Sequence, residues 1–248
     1  MTHPLFIVDF AIFALQMKLG IHIGVLLFFV VSTALAQGRY HPGETVPKPY
    51  LKVNGYEAFF TISPVSEELK VQMSQNTFKS KNGVSWDKLR YLRVLHCDAE
   101  GNSIVGEMVC SAAIAEDLLE IFKELYQAAY PIEKMRLVDY YGGDDDASMS
   151  DNNTSCFNQR ASAAGRMVSK HSYGLAVDVN PKYNPYFKLK ANGQTILKPE
   201  GSADYLDRGE SSPYMIKKGD LCYRLFKKHG FHWGGEWTSG KDYQHFEK

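Results

Sequence analysis

The chain has no excess of either charge: 28 Lys and Arg stand against 28 Asp and Glu. Nucleic-acid binding rewards dense positive charge, so that class of partner is set aside. No Cys-x-x-Cys pair occurs among Cys97, Cys110, Cys156 and Cys222, which argues against a structural zinc knuckle. There is no internal repeat, and helical and strand patterns do not alternate as in βαβ units. These absences leave the α+β class, with helices packed on a small, mainly antiparallel sheet.

The first 36 residues differ in kind from the rest. Lys18 precedes an apolar run over residues 19–31, and Ser32-Thr33-Ala34-Leu35-Ala36 follows it. A positive charge, an apolar core and a small-x-small end match a secretory signal cleaved after Ala36. No Cys stands at that point, which argues against a lipoprotein. The alternative is an uncleaved membrane anchor, the one route by which the chain meets a membrane. Asp9 interrupts the stretch ahead of Met17, so Met17 is the expected start. Either way the folded part is expected to be secreted or periplasmic, and monomeric. The four cysteines then face an oxidising compartment. Cys97 and Cys110 flank a hairpin turn and could pair across it; free buried thiols are the other reading.

Residues 37–90 read as linker and extension, and 91–248 as the main domain. Alternating residues on both sides of Asp98-Ala99-Glu100-Gly101-Asn102 predict a β-hairpin. Ile114, Leu118, Ile121, Phe122 and Leu125 predict an amphipathic helix within residues 112–130. Residues 135–141 read as a strand, 142–153 as an acidic loop, and 175–179 as a buried strand. Residues 182–213 read as a polar surface loop, and 220–229 as a short helix stopped by Gly230. Tyr183 and Tyr186 read either as a substrate wall or as a covered loop. His41, His96, His229 and His232 read as ordinary packing or surface residues, and Asp144-Asp145-Asp146 as a solvated run.

Two segments carry chemistry: Ser169-Lys170-His171-Ser172-Tyr173-Gly174-Leu175-Ala176-Val177-Asp178, and Trp233-Gly234-Gly235 with Asp242-Tyr243-Gln244-His245 downstream. Catalytic zinc takes three protein ligands and keeps one position open. Hydrolysis also needs a carboxylate outside the ligand set to carry a proton. His171, Asp178 and His245 supply the first requirement, and Asp242 the second. Asp178 lies in an otherwise apolar strand, where a carboxylate is costly unless paired or metal-bound. Asp242 and His245 are three residues apart, so a regular strand would send them to opposite faces. A shared site demands a bend at Tyr243-Gln244.

Ser-x-His, six residues, Asp, and a distant Asp-x-x-His preceded by Trp-Gly-Gly together resemble the D-alanyl-D-alanine carboxypeptidase family of zinc peptidases. Its relatives include D-Ala-D-Ala dipeptidases, L-alanyl-D-glutamate endolysins and the Hedgehog amino-terminal domain, whose fold the resemblance implies. The likeness spans about residues 106–248. It implies Zn²⁺ on His171, Asp178 and His245, and Asp242 as general base. It implies an arginine that steadies the oxyanion: Arg160, with Arg166 and Arg136 as alternatives. It gives Ser169 a hydrogen bond near the site and makes Trp233 a wall. The implied reaction is direct attack of metal-bound water on peptidoglycan stem peptides, as D-Ala-D-Ala carboxypeptidase or L-Ala-D-Glu-type endopeptidase. The rival reading is a non-catalytic, zinc-stabilised cell-wall or protein-binding module.

Overall fold

The computed structural model describes residues 39–79, 83–159, 169–209 and 212–248. The leader over residues 1–36, Arg160 and Arg166 lie outside them. Strand β1 (Thr45–Val46), helix α1 (Lys48–Asn54), strand β2 (Thr61–Pro64) and helix α2 (Glu67–Gln75) precede a long hairpin of β3 (Leu89–Cys97) and β4 (Ser103–Ser111). The turn lies where the sequence places it, with Gly101 at φ +75°. β1 and β2 come from the stretch read as linker and extension, and they flank the hairpin in the order β1-β4-β3-β2, all antiparallel. Opposite residues rule out a Cys97–Cys110 bridge: Cys97 faces Ser103 while Cys110 faces Arg90 at the far end. All four cysteines are free and buried.

Helix α3 (Ala115–Gln127) covers the sheet with Leu118, Ile121, Phe122 and Leu125, the stripe expected from three- and four-residue steps. Beyond it two expectations change. The strand expected over 135–141 is extended only at β5 (Lys134–Met135), and Val138–Tyr141 winds into a 3-10 turn. The acidic stretch is not a loop, because it holds helix α4 (Asp145–Ser150). Asp144 accepts a hydrogen bond from the Ala147 N–H and so caps it. Asp145 and Asp146 occupy the first turn, where the helix dipole favours negative charge. Strand β6 (Asn153–Thr154) then pairs with β5, the one parallel pair among the described strands.

Strand β7 (Ala176–Asp178) is followed by a third correction. The expected loop over 182–213 contains a hairpin of β8 (Tyr186–Leu189) and β9 (Thr195–Lys198). Its signal is an Asn192-Gly193 turn, with Gly193 at φ +81°, between alternating flanks. The buried Asn184 ties this segment down. Its amide donates to the carbonyls of Val179, Asn180 and Tyr214, and its oxygen accepts from Arg208 and the Ile216 N–H. Helix α5 (Leu221–Lys228), capped by Asp220, and strands β10 (His232–Trp233), β11 (Lys241–Asp242) and β12 (His245–Glu247) complete the chain. Phe226 of α5 sits at the centre of the core, against Phe122, Phe231 and Phe246. The α+β expectation holds.

His96 on β3 is fully buried. Its Nδ1 lies 2.7 Å from the Ile132 carbonyl, while Nε2 has no partner. Burial pushes its pKa down to about 4. The folded state therefore resists a proton that the unfolded chain accepts below about 6.5. Stability should fall as the pH drops from 7 to 4, by about 3 kcal/mol from this residue alone. Thermal melts across that range should show the loss in the native protein and a reduced loss in His96→Gln.

Candidate metal centre

Strand periodicity decides the first half of the site. β12 pairs with β7 so that His245 stands opposite Asp178, and Phe246 opposite Val177. Directly opposed residues share a face. Asp178 and His245 thus emerge together on one side, while Val177 and Phe246, both fully buried, enter the core on the other.

His171 arrives from elsewhere. Ser169 caps the 3-10 turn Lys170–Tyr173 by accepting from the His171 N–H. Gly174 closes the turn in the left-handed region at φ +66°. A Cβ there would lie 2.6 Å from the Ser111 nitrogen, so this position requires glycine both for its backbone angle and for close approach to β4. One short segment steadies both neighbours: Ser155 exchanges backbone hydrogen bonds with Asp178, and the Cys156 carbonyl accepts from His171 Nδ1 at 2.6 Å.

The three side chains converge on a point. His171 Nε2 lies 3.1 Å from His245 Nδ1 and 3.2 Å from Asp178 Oδ2, and His245 Nδ1 lies 3.0 Å from Asp178 Oδ1. Two imidazoles and a carboxylate in this arrangement can hold a metal ion. Tetrahedral zinc with bonds of about 2.0–2.1 Å sets its ligands about 3.3 Å apart, so the donor set fits with little movement. Burial opposes charge on His245, but its hydrogen bonds to Asp178 and Glu247 outweigh that and push its pKa up to about 10. Burial would raise Asp178 as well; the two histidines instead hold it well below the usual carboxylate range. The charged form of His245 is therefore favoured where the three side chains meet.

Asp242 joins them through the bend that the spacing demanded. Residues 243–244 bend between β11 and β12, and Trp233 Nε1 pins them by donating to the Tyr243 carbonyl at 2.8 Å. Gly234 admits the Asp242 backbone, since a Cβ there would lie 2.6 Å from the Asp242 oxygen. Asp242 Oδ1 is buried without a hydrogen-bond partner. Burial, then the charge of Asp178, pushes the Asp242 pKa up to about 7.

A cavity of about 760 Å³ opens over the cluster, lined among others by Ser169, Tyr186, Trp237 and Asp242. Trp233, expected as its wall, is instead core beneath the site, stacked on Phe246. The indole at the cavity is Trp237, 5.3 Å from the His245 ring. Tyr186 faces the cavity, whereas Tyr183 packs on Tyr205 and Tyr214. Arg136 lies elsewhere, over the Tyr140 ring.

Residues 162–248 match the family model described as D-alanyl-D-alanine carboxypeptidase. The segment that builds the site is thus similar to this family. The matched segment contains all four of His171, Asp178, Asp242 and His245, and the family it resembles is one of peptidases. No curated protein and no solved structure matches the chain.

Two outcomes follow from this geometry. Gly174→Ala should cost at least about 2 kcal/mol, read from urea midpoints, because it adds both backbone strain and a backbone clash. A metal must displace the His245 proton, so apparent zinc affinity should fall about tenfold for each pH unit from 8 to 6 in chelator-competition titrations.

Proposed function

We propose that the chain is an exported zinc peptidase that hydrolyses peptide bonds in the stem peptides of peptidoglycan. The observation that carries this reading is the convergence of three buried donor side chains with an unpartnered Asp242 oxygen on one cavity. His171 through Nε2, His245 through Nδ1 and Asp178 through its carboxylate would hold the ion. When bound, zinc supplies a Lewis acid that acidifies water and polarises a carbonyl.

The remaining work falls to the protein's own groups. Asp242 takes a proton from the attacking water and returns it to the departing amine, a role suited to a carboxyl near neutrality. Trp237 and Tyr186 offer apolar surface to a flexible peptide, and the cavity has room for several residues of one. Arg160, carried over from the family resemblance, is the proposed holder of the developing negative charge.

Purified protein incubated with muropeptides, with and without chelator, tests this by product mass. Release of D-Ala identifies a carboxypeptidase, and a cut after L-Ala an endopeptidase. Absence of any chelator-sensitive product would favour the binding module and overturn the proposal. Asp242→Asn should keep its zinc yet lose at least about 10²-fold in kcat/KM. The base works only when ionised, so kcat/KM should rise with pH through an apparent pKa no higher than about 7, since a neighbouring cation favours the ionised form.

A further inference from the structure

We infer that Glu247 is the positioning residue for His245, fixing which of its two nitrogens faces the metal point; this rests on the zinc reading above. Glu247 follows His245 by two residues in β12, so both side chains lie on the same face. Glu247 Oε2 lies 3.3 Å from His245 Nε2. The opposite nitrogen of the same ring, Nδ1, is the one 3.0 Å from Asp178 and 3.1 Å from His171. A proton held on Nε2 by the Glu247 carboxylate leaves the Nδ1 lone pair aimed at the point the three side chains share.

The two histidines solve the same problem in mirrored ways. His171 points Nε2 at the shared point because its Nδ1–H is taken by the Cys156 carbonyl at 2.6 Å. His245 points Nδ1 there because its Nε2–H is taken by Glu247. Without an acceptor behind it, a neutral imidazole samples both tautomers, and one of them puts hydrogen where the metal must bind. The backbone carbonyl behind His171 cannot be removed by substitution. The carboxylate behind His245 can, which makes the inference testable. Trp237 lies tilted beside the His245 ring, and an apolar contact of that kind cannot choose a tautomer.

The experiment uses the full chain as native protein, Glu247→Ala and Glu247→Gln, each titrated with zinc against a chromophoric chelator. It is paired with ¹⁵N spectra of the histidine rings in the zinc-loaded proteins. Glu247→Ala should bind zinc about 10- to 100-fold more weakly. Glu247→Gln should retain most of the affinity, because its amide oxygen still accepts from Nε2–H. The spectra should show His245 protonated at Nε2 in the native protein and in Glu247→Gln. Affinity of Glu247→Ala within about threefold of the native protein would overturn the inference, since outer-shell partners of a ligand normally count for more. So would an unprotonated Nε2 in loaded native protein, a result that does not depend on how well the alanine variant folds. Failure of the native protein to take up zinc at all would overturn the zinc reading instead, which separates the two.

Discussion

Three buried side chains meet at one point with little but each other to bond, and the rest of the site is arranged around that demand. A carboxylate taken out of water costs several kcal/mol unless a cation or hydrogen-bond donors replace the solvent. Asp178 has His171 and His245, and each histidine must in turn be satisfied on its far nitrogen. Cys156 and Glu247 do this. The three side chains thus form a mutually satisfied polar unit at the floor of the cavity, and its centre has the size and donor chemistry of a tetrahedral cation site.

Such a unit holds its shape only if its supports are stiff. The two-residue period of β7 and β12 serves both sides of the sheet at once. Asp178 and His245 face the cavity while Val177 and Phe246 bind the strands to the core, with Phe246 stacked on Phe226 of α5. Close backbone approach replaces side-chain packing at two places. Gly174 lets the His171 turn lie against β4, and Gly234 lets the Trp233 turn lie against Asp242. Either contact would be broken by a single methyl group, so these glycines set distances within the site although neither takes part in its chemistry.

Much of this was legible from local pattern. Alternation around a Gly-containing turn marked the β3–β4 hairpin, and the apolar stripe marked α3. The Asp242 to His245 spacing required a bend, and residues 243–244 provide it. The remaining differences have separate causes. The stretch holding α4 looked like a solvated charge run because its acidic residues were read for charge rather than for capping. The β8–β9 hairpin was hidden by its polar composition. Trp233 and Trp237 are four positions apart, and nothing local says which indole meets the cavity and which the core.

The sequence by itself determined the elements and the chemical types: an apolar strand with one carboxylate, a glycine-closed turn behind His171, and an Asp-x-x-His ending. These are local matters of periodicity and backbone freedom. Only the tertiary structure decided which atoms face one another, because cross-strand partners and the segment behind His171 lie far apart along the chain. That Glu247 stands behind His245 follows from strand alternation, but that its carboxylate reaches Nε2 while Nδ1 turns to Asp178 depends on how β7 and β12 are paired.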